Sequence, residues 1–312
     1  MPDLNHNTAV QPDLSVTIAG VTFQNPVMTA SGTFGSGMEY ADFVDLNRLG
    51  AVVTKGVSNV PWEGNPTPRI AEVPGGMLNA IGLQNPGVDV FVERDLAFLE
   101  QFDTKVIVNV CGHTEEEYLE VVERLSDQPR VDMLEINVSC PNVRQGAIAF
   151  GTKADCLCHI TSRIKKIARK PVILKLTPNV TSIAEMAKAA EAGGADAISL
   201  INTITGMKID VERRRFVLAN RTGGLSGPAI HPVAVRMVYE ASHAVSIPVI
   251  GMGGVMNTDD ALELMLAGAS AVAVGAANFH NPEVTVQIID GMTAYAQRHG
   301  LHAIADLIGA VS

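Results

Sequence analysis

The chain has 312 residues, 47% of them hydrophobic, and a formal net charge of −10. That size excludes a small module and suffices for a large core, while the charge argues against nucleic acid or an anionic membrane surface as main partner. Met1 to Asp13 is polar with two prolines, no apolar run reaches membrane-span length, and the four cysteines form neither a disulfide framework nor a zinc-ribbon spacing, so a cytoplasmic protein is expected.

In chain order, Leu14–Ile18 and Val21–Phe23 flank Ala19-Gly20 and read as a β-hairpin with Gly20 in the turn. Strand one is expected over Pro26–Ala30, followed by a helical pattern at Tyr40–Leu46, and strand two over Ala51–Lys55. Gly56 to Pro86 is long and rich in Gly, Pro and Asn; a loop of that length is functional or builds small strands of its own. A helix at Val88–Leu99 leads to strand three, Val106–Val110, and a helix at Glu115–Leu125 leads to strand four, Met133–Val138. The next helix, Ala154–Ala168, takes Cys156 and Cys158 as ordinary helix positions rather than metal ligands, and no metal site is expected elsewhere. Strand five is Val172–Leu176, then a helix at Ile183–Ala192, then strand six at Ala197–Asn202 with an excursion from Lys208 to Asn220. Pro232–Ala244 (helix), Pro248–Gly251 (strand seven), Thr258–Ala267 (helix), Ala271–Val274 (strand eight) and a helix from Pro282 to His299 complete the pattern.

Eight strand–helix units predict an α/β fold, a closed (β/α)8 TIM barrel forming one domain over residues 1–312, with an N-terminal hairpin and loop insertions at the C-terminal face. An open doubly wound sheet is the alternative, but its first-turn G-x-G-x-x-G is absent.

Sites on such barrels lie at the C-terminal ends of the strands. Those ends carry Ser31, Lys55-Gly56, Asn109, Asn137 to Cys140, Lys175, Asn202-Thr203, Gly253-Gly254 and Gly275-Ala276. Glycines after strands seven and eight let backbone N–H groups approach a phosphate, tight turns being the plainer alternative. A lysine inside Val-Ile-Leu-Lys-Leu needs an anionic partner. Three Asn side chains offer donors and acceptors to a planar heterocycle. A phosphate-bearing planar cofactor with a small amide-containing anion would use all of these groups. Cys140 sits in Asn137-Val138-Ser139-Cys140-Pro141-Asn142, where it suits a nucleophile, a general base, a metal ligand or a small buried hydrophobe.

Several strings carry a family resemblance: Gly64-Asn65-Pro66-Thr67-Pro68-Arg69, Asn79 to Gly87, Asn137 to Asn142, Ile201-Asn202-Thr203, Thr222 to Pro228 and Gly251 to Gly254. With them, nearly the whole chain resembles dihydroorotate dehydrogenase. The resemblance implies an FMN-bound barrel that oxidises (S)-dihydroorotate to orotate in pyrimidine synthesis, FMN taking the C6 hydride and Cys140 the C5 proton. It implies FMN contacts at Ser31, Lys55, Gly56, Asn109, Asn137, Lys175, Ile201, Gly227, Gly253, Gly254, Gly275 and Ala276. It implies substrate contacts at Lys55, Asn79, Ala80, Ile81, Gly82, Leu83, Asn137, Asn202 and Thr203. Lys175 would face the N1–C2=O edge of the flavin, and the loop holding Cys140 would act as a lid with Gly146 and Gly151 as hinges.

The loop from Val143 to Thr152 resembles the NAD-dependent subtype, whose FMN subunit pairs with a subunit carrying FAD and a 2Fe-2S cluster; a homodimer core or a heterotetramer is implied. Ala147 stands where that subtype usually has glycine, and Ala276 where it usually has a threonine hydroxyl. The chain has no dinucleotide fingerprint and too few cysteines for an iron–sulfur cluster beside a catalytic thiol, so an NAD+ site would belong to another chain. The alternatives are a fumarate-dependent homodimer, a pyrimidine-reducing relative, and a non-redox phosphate-binding barrel.

Overall fold

Short runs of β-branched and small apolar residues, buried on both faces, suit a parallel sheet covered by helices. The computed structural model describes residues 11–138 and 151–312. The chain opens with an antiparallel hairpin of β1 (Val16–Ile18) and β2 (Val21–Phe23). Its two-residue turn puts Ala19 and Gly20 at positive φ, the conformation that matches strand twist in a tight hairpin. The barrel begins with β3 (Val27–Thr29) and β4 (Ala51–Val53). An excursion holds β5 (Ile70–Val73) and β6 (Gly76–Asn79), followed by α1 (Gly87–Val90), a wider π-helical turn at Phe91–Leu96 and α2 (Ala97–Leu99). Then come β7 (Lys105–Val110), α3 (Glu115–Ser126), β8 (Met133–Asn137), α4 (Ala154–Ile167), β9 (Val172–Lys175), α5 (Ile183–Ala192) and β10 (Ala197–Leu200). A second excursion carries β11 (Ile204–Met207), β12 (Ile209–Asp210), β13 (Arg215–Phe216) and β14 (Thr222–Ser226). The chain closes with α6 (His231–Ser242), β15 (Val249–Met252), α7 (Thr258–Leu266), β16 (Ala271–Val274) and α8 (Val284–His299).

Strands β3, β4, β7, β8, β9, β10, β15 and β16 pair in that order, all in parallel, and β16 returns to β3. This is the expected closed barrel. Helix starts follow local chemistry. Thr114, Ser182 and Asn257 accept from the backbone N–H three residues on, at 3.3, 3.2 and 3.1 Å, and each helix begins with acidic residues that suit its positive end. Among the described residues, no helix is long and apolar enough to cross a membrane.

The two excursions are one structure. Strands β5, β6, β14 and β11 form a four-stranded antiparallel sheet, with Asn79 opposite Gly224. The long loop after β4 and the loop after β10 therefore join, with a small core of their own at Ala71, Leu78, Ala80 and Leu218.

One expected helix is absent. Residues 40–46 form turns, followed by a 3-10 turn at Leu46–Arg48. Gly35 and Gly37 take positive φ, Tyr40 stacks on Phe34 with centroids 4.1 Å apart, and its hydroxyl donates to Thr33 O at 3.0 Å. Gly35 O in turn accepts from Lys55 N at 2.8 Å. These bonds fold the first crossover against the barrel mouth, and tertiary contact overrides the helical periodicity.

Candidate active site

A cavity of about 820 Å³ opens at the C-terminal ends of the barrel strands. Its volume lies within the ~300–1,000 Å³ usual for ligand sites. Ser31 beyond β3, Lys55 and Gly56 beyond β4, Asn109 on β7, Asn137 on β8 and Lys175 on β9 all line it. So do Ile201, Asn202 and Thr203 beyond β10, Gly227 beyond β14, Gly253 and Gly254 beyond β15, and Gly275 and Ala276 beyond β16. The excursion sheet brings Asn79, Ala80, Ile81, Gly82 and Leu83 to the same cavity. Every candidate within the described residues thus converges on one place. Cys140, Gly146 and Ala147 lie outside the described residues, as does most of the proposed lid; Val138 and Gly151, on either side, both line the cavity.

Beneath the site lies a buried network that sequence reasoning missed. Glu135 of β8 is 1% exposed and accepts from Asn109 Nδ2 at 2.6 Å, Ser199 Oγ at 2.8 Å and Lys175 Nζ at 3.1 Å. Lys175 Nζ also donates to Ser31 Oγ at 2.9 Å. The anionic partner expected for Lys175 is therefore a carboxylate of this chain. Asn137 Nδ2 reaches Asn109 Oδ1 at 3.5 Å, and Tyr118 of α3 donates its hydroxyl to Asn137 O at 2.6 Å. One buried carboxylate fixes two of the cavity's amide and ammonium groups directly, and Ser31 through Lys175. The signal was present in Met-Leu-Glu-Ile-Asn, since a strand of period two puts Glu135 on the same face as Asn137.

The lining is chemically mixed. Burial pushes the Lys55 ammonium below the usual lysine range; Cys111 beside it pulls the other way, and the like charges of Arg69 and Lys175 push it down further. A pocket in which cations repel one another suits a small anion. Asn202 Oδ1 is buried without a hydrogen-bond partner, an acceptor waiting for a ligand donor. Thr203 packs so tightly on β14 that a Cβ at Gly224 would fall 1.9 Å from its Oγ1.

Next to Ile201-Asn202 in the strand order, Gly253 and Gly254 take φ of +129° and +71°. A Cβ on Gly254 would lie 2.8 Å from Gly227 O and from His231 Cβ, so glycine is required there. The N–H groups of Gly253, Gly254 and Gly275 donate to no backbone carbonyl among the described residues. Donors at a glycine turn with no side-chain bulk form a cradle that fits a phosphate. The residues present therefore suit a phosphorylated planar group together with a small anion.

The chain has relatives among known proteins. Residues 13–295 match the family model described as dihydroorotate dehydrogenase. A Lachnoclostridium phytofermentans protein named dihydroorotate dehydrogenase B (NAD(+)), catalytic subunit, is 67% identical over 95% of this chain and 99% of its own length. An Alkaliphilus metalliredigens protein of the same name is 58% identical over 96% and 99%. The crystal structure of DHODH from Eimeria tenella in complex with ferulenol superposes with a TM-score of 0.79 at 25% identity, covering 99% of this chain and 91% of that one. A match that runs from before the hairpin into α8, with relatives more than half identical along nearly their full length, means that this chain belongs to the dihydroorotate dehydrogenase family.

Proposed function

We propose that the chain is the catalytic subunit of an NAD+-linked dihydroorotate dehydrogenase: it binds FMN and oxidises (S)-dihydroorotate to orotate. The observation that carries the reading is one cavity that holds both a glycine turn suited to a phosphate and, in Lys55 and Asn202, groups suited to a small amide-bearing anion. Gly253, Gly254, Gly275 and Ala276 would hold the FMN phosphate, and Asn109, Asn137 and Lys175 would face the ring system. Gly56, Ile201, Gly227 and Ser31 complete that wall. When bound, FMN supplies the two-electron oxidant, accepting the hydride that leaves substrate C6.

The chain's own groups do the rest. Lys55 pairs with the substrate carboxylate and Asn202 Oδ1 accepts from a ring N–H, which together fix the ring's orientation. Residues 79–83, with Asn137 and Thr203, close around it. Lys175, held by Glu135, would stand at the edge of the site where negative charge grows during oxidation. Cys140, two residues beyond Val138 in sequence, removes the C5 proton as general base. Loss of that proton and of the C6 hydride leaves the C5–C6 double bond of orotate.

The name shared by the two bacterial relatives supports NAD+ as final acceptor and a second subunit as its carrier, with FAD and a 2Fe-2S cluster there. The test is direct. Purified protein shows a flavin spectrum that bleaches on anaerobic addition of dihydroorotate, and NAD+ turnover is slow until the partner subunit is added. Protein that takes up no flavin on reconstitution, or holds flavin that dihydroorotate does not bleach, refutes the reading. Efficient turnover with fumarate by the chain alone moves it to the single-subunit subtype.

A further inference from the structure

Among the described residues, the Lys and Arg that line the cavity are Lys55 and Lys175, which stand beyond β4 and on β9, away from β15 and β16. A phosphate at the glycine turn would rest on backbone N–H groups, and one residue behind the turn bears on how they are presented.

His231, the first residue of α6, is 8% exposed and is not part of the lining. Its Nδ1 lies 2.9 Å from Gly253 O, and its Nε2 lies 3.1 Å from Glu263 Oε2 of α7. Asp260 Oδ1, also on α7, lies 3.9 Å from the same nitrogen. The ring thus spans the space between the Gly253 carbonyl and the carboxylates of α7. A Cβ on Gly254 would fall 2.8 Å from the Cβ of His231, so His231 backs both glycines of the turn.

We propose that His231 is a positioning residue for the phosphate end of the flavin. Held between Glu263 and the carbonyl of Gly253, it engages that carbonyl from behind and leaves the N–H groups of the turn to the cavity. It makes the site prefer a phosphorylated flavin to the bare isoalloxazine–ribityl unit. This rests on the reading of the cavity as an FMN site.

The experiment titrates flavin-free protein with FMN and with riboflavin, which lacks the phosphate. Wild-type protein binds FMN far more tightly. His231→Ala loses roughly 3- to 10-fold in FMN affinity, the usual worth of one hydrogen bond that holds the turn, with riboflavin affinity changed less than about twofold. His231→Gln keeps a donor for Gly253 and restores most of the FMN affinity lost in His231→Ala. A folded His231→Ala variant with the wild-type ratio of FMN to riboflavin affinity overturns the proposal, whether both affinities are unchanged or both fall equally, the second marking a purely structural role. Wild-type protein that binds neither ligand refutes the flavin reading itself, a result distinct from unchanged variants.

Discussion

Removal of Glu135 tests the buried network at its centre. In Glu135→Ala, Lys175 keeps a side chain that is 5% exposed and loses its carboxylate, leaving Ser31 Oγ at 2.9 Å as its partner. Breaking a buried pair from one side costs about 3–5 kcal/mol, because an uncompensated charge stays behind. Asn109 Nδ2 and Ser199 Oγ also lose their acceptor, at up to ~1–3 kcal/mol each, although relaxation makes these costs less than additive. A loss of about 3–5 kcal/mol is a large share of the ~5–15 kcal/mol that stabilises a typical domain. Urea unfolding of the flavin-free protein reads it. Glu135→Gln, which keeps one acceptor oxygen, costs about 1–3 kcal/mol. The double variant Glu135→Leu/Lys175→Met removes both charges and is at least ~2 kcal/mol more stable than the sum of its single variants predicts. Additive single effects, or a Glu135→Ala variant within ~1 kcal/mol of wild type, would show that the pair is solvated and the reasoning wrong.

The barrel was legible because its strands are short, β-branched and evenly spaced, and because the segments between them carry helical periodicity. The site was legible where backbone need is written in residue type, as at Gly253-Gly254, or where a polar residue interrupts an apolar run, as at Lys175. Two kinds of feature were not. The first crossover at residues 40–46 has a helical pattern but is held as turns by Gly35, Gly37 and the Phe34–Tyr40 stack. Long-range pairing was the other. That Lys175 meets Glu135 across 40 positions, or that Asn79 sits opposite Gly224, follows from barrel register and from the joining of two loops, which no local window contains. The resemblance supplied Asn79 to Leu83 as substrate contacts; the shared sheet of β5, β6, β14 and β11 gives the physical reason they reach the cavity.

Three further outcomes are expected. Cys140→Ala keeps flavin and binds orotate, but stopped-flow reduction by dihydroorotate slows by roughly 10²–10⁴, the usual worth of a positioned base; near-wild-type reduction removes Cys140 from the mechanism. Gly254→Ala, with φ +71° and a Cβ 2.8 Å from Gly227 O, is purified with much less flavin and loses about 1–3 kcal/mol of stability; full flavin content would show that the turn has room. The third concerns pH. Burial, the largest cause, holds Lys55 below its ordinary value of 10.5 in the ligand-free protein. Between that lowered value and 10.5, the unfolded chain binds more protons than the folded one, so Lys55 makes ligand-free stability rise with pH across that window. A substrate carboxylate beside Lys55 acts in the other direction by favouring the charged form, so orotate binding takes up a proton there and its affinity falls as pH rises through the same window. Calorimetric titration in buffers of different ionisation enthalpy counts that proton. Lys55→Arg keeps its charge across the range and shows no uptake from this position. Equal proton uptake in the wild type and in Lys55→Arg would mean that Lys55 does not meet the carboxylate.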